Sequence, residues 1–356
     1  MNSNSISNMP DDMRDLFKQL QKKGIKRQKW IDEYGNIKNI ISTAHKDFRF
    51  VAAGSKLFLI GSKDTFHDFL VEYLQQVISK AWIESERIKA SDHQLIKWID
   101  STNAMKVSME RGDKEFFSFI PNNNIAAFMN LAYDLFIIDH NHRLQQDIVK
   151  RLKLADQFHG VRYELFVTAI CIKAGLKIDY ENEKDRRKKH VEFIAFDDST
   201  KQKIGVEAKY KIRENPGNSS TLLDKIKVGN ITRLINDATA KNPGLSQFVF
   251  IELNLPPEQS QILLSGKDAF QTMIHQTNQI KKAMDGKDLF NAVFFTNHAP
   301  FFGRDDERVS KMDFSLMISQ NPKYQLFKQQ AIIDKITKAL LIHEKIPSHF
   351  PEVTLT

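Results

Sequence analysis

The sequence predicts a mixed α/β sheet flanked by helices in its carboxyl-terminal part, preceded by a mainly helical amino-terminal region with a small β-hairpin. Three observations carry this expectation. Residues 203–212 alternate with period two: Ile204, Val206, Ala208, Tyr210 and Ile212 face one way, Gly205, Glu207, Lys209 and Lys211 the other. Two further strand-like runs, 176–182 and 190–197, precede it across short polar turns. FVFIELNL at 248–255 is a continuous apolar run, as a central strand requires. Adjacent strands with short turns, set among helical patterns, make a mixed sheet.

In chain order, residues 1–12 are polar and expected to be disordered, and 13–150 form the helical region. FRFVAAGSKLFLI at 48–60 reads as two short strands around an Ala-Gly-Ser-Lys turn. Thr65 is placed to cap a helix running through FHDFLVEYLQQVISKAWIESE. Helical patterns follow near 93–106, 124–138 and 142–158. Residues 151–356 form the second domain. VRYELFVTAICIKA is apolar on nearly every side, which suits a buried helix, and Gly175 can end it in the left-handed conformation. The three strands come next, separated by EKDRRKK and DDSTKQK. A loop at 214–220 leads to a helix near 222–240 and then to the central strand, which Pro256 and Pro257 end. A helix near 267–283, a strand in LFNAVFFT and an amphipathic helix from about 324, stopping before Pro347, complete the pattern.

The 356 residues, 41% hydrophobic, suffice for a sizeable core and two domains. Mean hydropathy is −0.41, and no stretch approaches the roughly 20 apolar residues of a membrane helix, so no membrane partner is expected. The start lacks a basic region followed by an apolar core, so no signal peptide is expected. A single cysteine, Cys171, excludes an intrachain disulfide and a multi-cysteine zinc site, and a cytoplasmic location is the simple expectation. Net charge is +8, and residues 150–260, with 20 basic and 15 acidic side chains, hold most of the excess. Such a surface attracts phosphate backbones whatever their sequence, which makes nucleic acid the expected partner; solubility is the bland alternative.

Phosphodiester hydrolysis needs a hard cation, an activated water, and positive charge where the transition state gathers negative charge. Glu207 and Lys209, two apart on a strand, project from one face, and Glu192 on the neighbouring strand can join them. Glu192, Glu207 and the backbone carbonyl of Ala208 could grip one ion, with Glu164 on the preceding helix completing the shell directly or through water. Lys209 could orient the attacking water or stabilise the phosphorane. Asp179 and Glu183 are rivals of Glu192 if the register differs, and His190 shares the face of Glu192. The Glu-x-Lys pattern occurs once in the chain. Asp285-Gly286-Lys287 is a similar short match, but it lies in a turn and is rejected.

The segment HGVRYELFVTAICIKAGLKIDYENEKDRRKKHVEFIAF, followed by KIGVEAKYK, resembles the PD-(D/E)xK restriction-endonuclease-like superfamily over roughly residues 158–255. The family's acids would map to Glu192 and Glu207, its lysine to Lys209 and its helix acid to Glu164. The chain departs from the pattern at the first acid, where His190-Val191-Glu192 replaces Pro-Asp. The resemblance implies a restriction-endonuclease-like α/β core, dependence on Mg²⁺ (or Mn²⁺), DNA as substrate, frequent homodimers, and roles in restriction, repair or defence against mobile elements.

Other signals weigh less. His140-Asn141-His142 cannot reproduce the separated residues of an HNH nuclease. GSKLFLIGSK at 54–63 lacks phosphate-loop spacing. EKDRRKK reads as a solvated turn. The competing functions are a catalytically inactive module of the same fold, binding nucleic acid or a protein partner, and a structural component of a larger complex. The missing Asp and the large helical region favour these; Lys209 with two acids in register favours the nuclease.

Overall fold

The computed structural model describes residues 11–110, 121–181, 190–210, 229–241, 244–254, 280–298 and 312–351. The chain opens with a long helix, α1 (Asp11–Tyr34), so Asp11 and Asp12 belong to a helix rather than to a disordered tail. A three-stranded antiparallel meander follows: β1 (Ile41–His45), β2 (Phe48–Ala53) and β3 (Lys56–Gly61). The predicted hairpin is β2–β3, and β1 is an addition to it. Thr65 caps α2 (Phe66–Ile78) with a full capping box, its hydroxyl accepting from the Asp68 amide and Asp68 reaching back to the Thr65 amide. The single helix expected there breaks at Ser79, whose φ is +84°, and α3 (Lys80–Ile88) starts anew. Next come α4 (Gln94–Glu110), α5 (Asn123–Asn141) and α6 (Gln146–Leu152). The helix expected over 142–158 is shorter: α6 ends at Leu152, and α7 (Phe158–Lys173), which holds the separately expected VRYELFVTAICIKA helix, begins six residues later.

The apolar surround of α7 has its expected outcome, since almost every residue of it is buried. It ends as the sequence suggests. Gly175 has φ +82°, its amide donates to Ile172 O at 2.8 Å, and the Leu176 amide donates to Cys171 O at 3.0 Å. A Cβ at Gly175 would lie 2.6 Å from the Asn36 side-chain nitrogen, so the position excludes larger residues.

The main sheet has six strands, β4 (Lys177–Asp179), β5 (Phe193–Asp197), β6 (Gln202–Tyr210), β7 (Gln247–Glu252), β8 (Ala292–Asn297) and β9 (Asp313–Ile318), in that spatial order. β6, β7 and β8 are parallel; β4 and β5 at one edge and β9 at the other run antiparallel to their neighbours. The three predicted adjacent strands are therefore present; β4 and β5 are shorter than drawn, and β6 starts one residue earlier, with residues 211 and 212 outside the described residues. His190, Val191 and Glu192 precede β5 rather than belong to it, although the Glu192 amide still donates to Val206 O at 3.1 Å. The EKDRRKK stretch and the loop at 214–220 lie outside the described residues. So does most of the helix predicted near 267–283, and residues 280–283 are not helical.

β7 is the central strand and all six of its residues are buried. On one face of the sheet Ala195, Val206, Ala208, Phe248, Phe250 and Phe294 pack against α7. On the other, Val249, Ile251, Val293 and Phe295 pack against Ile231, Ile235 and Ala238 of α8 (Gly229–Thr239). The last helix, α9 (Gln329–Leu341), packs against α7. The core on the α7 face runs without a break into the amino-terminal helices α2, α4 and α5. Among the described residues no helix is long and apolar enough to cross a membrane.

Candidate functional site

β6 and α8 together build the site. Glu207 is in register with Val249 of β7, which places it on the α8 face, and Lys209 two residues on shares that face. β5 pairs with β6 through Phe193 opposite Val206, which brings Glu192 beside Glu207. α8 crosses this face and ends at Thr239; Lys241, just beyond, folds its ammonium between the two acids. Its Nζ lies 2.7 Å from Glu207 Oε1 and 3.3 Å from Glu192 Oε1. Lys209 Nζ donates to the same Glu207 Oε1. Ala208, between the two, turns its side chain into the α7-side core.

Glu207 is 0% exposed. Its Oε2 is buried and has no hydrogen-bond partner among the described residues. Burial, and next the negative charge of Glu192, push the Glu207 carboxyl up to about 7, against the opposing pull of Lys209 and Lys241. Lys241 shows the converse: burial disfavours its charge, but Glu192 and Glu207 outweigh that and hold the ammonium above its ordinary range.

Glu164 approaches from α7. Arg151 of α6 grips it with two parallel hydrogen bonds, at 2.7 and 3.0 Å. The partner that a carboxylate on so apolar a helix demands is thus Arg151. Glu164, Arg151, His190, Val191, Glu192 and Lys241 line an open pocket of about 270 Å³. His190 Nδ1 lies 3.2 Å from Glu181 Oε2, and that oxygen also accepts from the Val191 amide at 3.2 Å. Glu181 therefore fixes the stretch that carries Glu192. The structure thus gathers the sequence-predicted residues: Glu164 and Glu192 in the pocket wall, and Glu207 with Lys209 one ion pair beneath it.

Asp179, a rival of Glu192, is exposed on β4 opposite Ile194, and Glu183 lies outside the described residues. Asp285 and Lys287 form a local ion pair at 2.9 Å across a turn with Gly286 at φ +75°. His140 is buried, with Nε2 2.8 Å from Asn39 O, and Asn141 accepts from the Lys38 amide at 2.7 Å, so both serve packing. Two site residues escape sequence reasoning: Lys241 and Arg151. Nothing local distinguishes Lys241 from any lysine at a helix end, and Arg151 meets Glu164 only because the α6–α7 turn folds one helix onto the other.

Among the described residues no group of three or more His, Cys, Asp or Glu side chains stands close enough to hold a metal ion. The donors that are present still fit a hard divalent cation. Such an ion is commonly held by one or two carboxylates and keeps several waters, and Glu192 and Glu207 already share one positive charge, with Glu207 Oε2 left over. Both oxygens of Glu164 accept from Arg151 and each keeps a further lone pair, so Glu164 could meet an ion directly or through water. Comparison of the chain with protein-family models, with curated proteins and with solved structures found no match.

Proposed function

We propose that the chain is a metal-dependent nuclease of the PD-(D/E)xK type, hydrolysing phosphodiester bonds, with DNA as the substrate. The observation that carries this reading is Glu207: a wholly buried carboxylate with one oxygen that has no partner among the described residues, set between two lysines and beside a second acid at the wall of an open pocket. Glu207 and Glu192 would hold Mg²⁺ or Mn²⁺, which when bound polarises the phosphate and makes water acidic enough to attack at neutral pH. Lys209, hydrogen-bonded to Glu207, orients the attacking water and offsets charge building on the phosphorane. Lys241 lines the pocket and is the cation that an entering phosphate meets. Arg151 fixes Glu164 in the opposite wall.

A second reading keeps the pocket and drops turnover: a module that binds nucleic acid or a protein partner. It is favoured by Lys241 and Arg151, which already neutralise the acids as a structural network would. Cleavage of plasmid, linear DNA and RNA, with and without Mg²⁺ or Mn²⁺, separates the two. The nuclease reading expects metal-dependent cleavage that Glu207→Gln and Glu192→Ala abolish. Lys209→Ala should keep metal binding but lose about 10²–10³ in rate, the usual cost of one such electrostatic group. A folded wild type inactive on every substrate with either metal would establish the binding module instead.

A further inference from the structure

Among the described side chains, those that anchor helix α1 lie near its carboxyl end. Near its carboxyl end Arg27 donates to Ile37 O at 2.8 Å and to Asn36 Oδ1 at 2.9 Å, Asp32 pairs with Lys338 at 2.6 Å, and Trp30 and Tyr34 pack on the core. Every side chain described between Asp15 and Lys26 is exposed. No acidic residue lies between Asp15 and Asp32, while Lys18, Lys22, Lys23, Lys26, Arg27 and Lys29 do. At 100° per residue, Lys18, Lys22, Lys26 and Lys29 fall within about 80° of arc and span about 17 Å of helix. Among the described residues Lys22, Lys26 and Lys29 have no ion-pair partner, and Lys18 has only Asp15, 3.6 Å away at a well-exposed site. Lys80, Lys89, Lys97 and Lys150 each pair with an acid at 3.1 Å or less, whereas Lys46, Lys56 and Lys203 are exposed without an ion-pair partner among the described residues; what marks α1 is that its lysines share one stripe.

Like charges at i,i+4 repel along a helix, so a stripe of this kind is stabilised by an external anion. We propose that the free half of α1 is a nucleic-acid contact, its four lysines laid along the phosphates of a duplex. This extends the nucleic-acid reading of the pocket to a surface outside it, and it does not require turnover. The polymer suits the spacing, because a duplex strand presents a phosphate about every 3.4 Å of axis, so about 17 Å of stripe faces about five of them. A lipid surface is the rival occupant, and the vesicle arm of the test below separates it from the duplex.

The test uses the full chain and a short fluorescent DNA duplex in chelator, so that no cleavage occurs, with affinity measured by anisotropy across a salt series. Lys18→Gln, Lys22→Gln, Lys26→Gln and Lys29→Gln are combined in one variant; glutamine keeps the helix. The log-affinity against log-salt slope should become shallower by about 3 to 4, at about 0.9 per phosphate contact, and affinity at low salt should fall by at least about tenfold. A control variant with Lys80, Lys89, Lys97 and Lys150 changed to Gln removes the same net charge and should retain the wild-type slope. Equal losses in both variants, or no loss in the stripe variant, would overturn the proposal. So would tighter binding of the wild type to phosphatidylserine vesicles than to the duplex, if the stripe variant loses it. Because no metal is present, an inactive wild type would not touch this result, and a failed stripe would leave the pocket's chemistry standing.

Discussion

Glu207 and Glu252 are both wholly buried glutamates on adjacent parallel strands, yet they sit on opposite faces of the sheet and in opposite electrostatic states. Glu252 is wrapped by donors. Its Oε2 accepts from Thr296 Oγ1 at 2.7 Å and lies 3.2 Å from His298 Nδ1, and its Oε1 accepts from the His298 amide at 2.7 Å. Tyr163 closes the network, 2.8 Å from Thr296 Oγ1. Burial alone would raise the Glu252 carboxyl, but the bonds from His298 and the charge of Arg162 outweigh it and hold the group below its ordinary range. Glu207 has two lysines on one oxygen, none on the other, and a neighbouring acid, and it is held up at about 7. An acid with donors on both oxygens pins a fold. An acid with fewer donors beside a second acid is pushed toward its neutral form.

The largest test of this contrast is stability. In Glu252→Gln the amide group confronts donors on both sides, and a broken buried charge network typically costs about 3–5 kcal/mol. Glu207→Gln leaves Lys241 paired with Glu192 and replaces a carboxyl already held up at about 7, so at neutral pH it should destabilise less than Glu252→Gln. Equal destabilisation in thermal or urea melts would erase the distinction between the two acids.

A smaller effect lies on the α7 face. His159 stacks on Tyr210 at 5.5 Å, and burial first, then the charges of Arg162 and His93, hold it down at about 4 against an ordinary 6.5. Between these values the unfolded chain binds the proton and the folded chain does not. Stability therefore falls as pH drops through that window, by about 1.4 kcal/mol per pH unit for this one histidine. His159→Phe keeps the stack and removes the proton, so the slope of folding stability against pH from 6.5 to about 4 should become shallower by that amount. An unchanged slope would show that His159 already titrates normally in the folded state. Smallest of all is Asp285→Ala, at an exposed local ion pair: stability should move by no more than about 0.5 kcal/mol, with cleavage unchanged. A marked loss of cleavage there would relocate the site.

What the sequence made legible was local. The alternation in β6 placed Glu207 and Lys209 on one face and Val206 and Ala208 on the other, as observed. Thr65 and Gly175 announced a helix start and a helix stop through chemistry confined to a few residues. The break at Ser79 carries no such signal, because a left-handed serine inside an apolar, helix-periodic run reads as helix. β1, ISTAH, has only one buried residue and too little alternation to register as a strand. Lys241 stands 34 positions from Glu207, and only the fold of α8 over the sheet joins them. Glu252 was hidden by its neighbours: within FVFIELNL the run reads as core, and its answering donors arrive from Thr296 of β8 and His298 just beyond it.

The burial of α5 sets how the molecule breathes. Fifteen of its 19 residues are inside, in the cluster that also holds α2, α4, α7 and the sheet. Its amides should be among the slowest to exchange hydrogen, whereas those of the exposed half of α1 should exchange by fraying. The amino-terminal helices and the helix that carries Glu164 consequently belong to one cooperative unit. A lesion deep in either is felt at the pocket as a change in the fraction of intact molecules, not as a change in its shape.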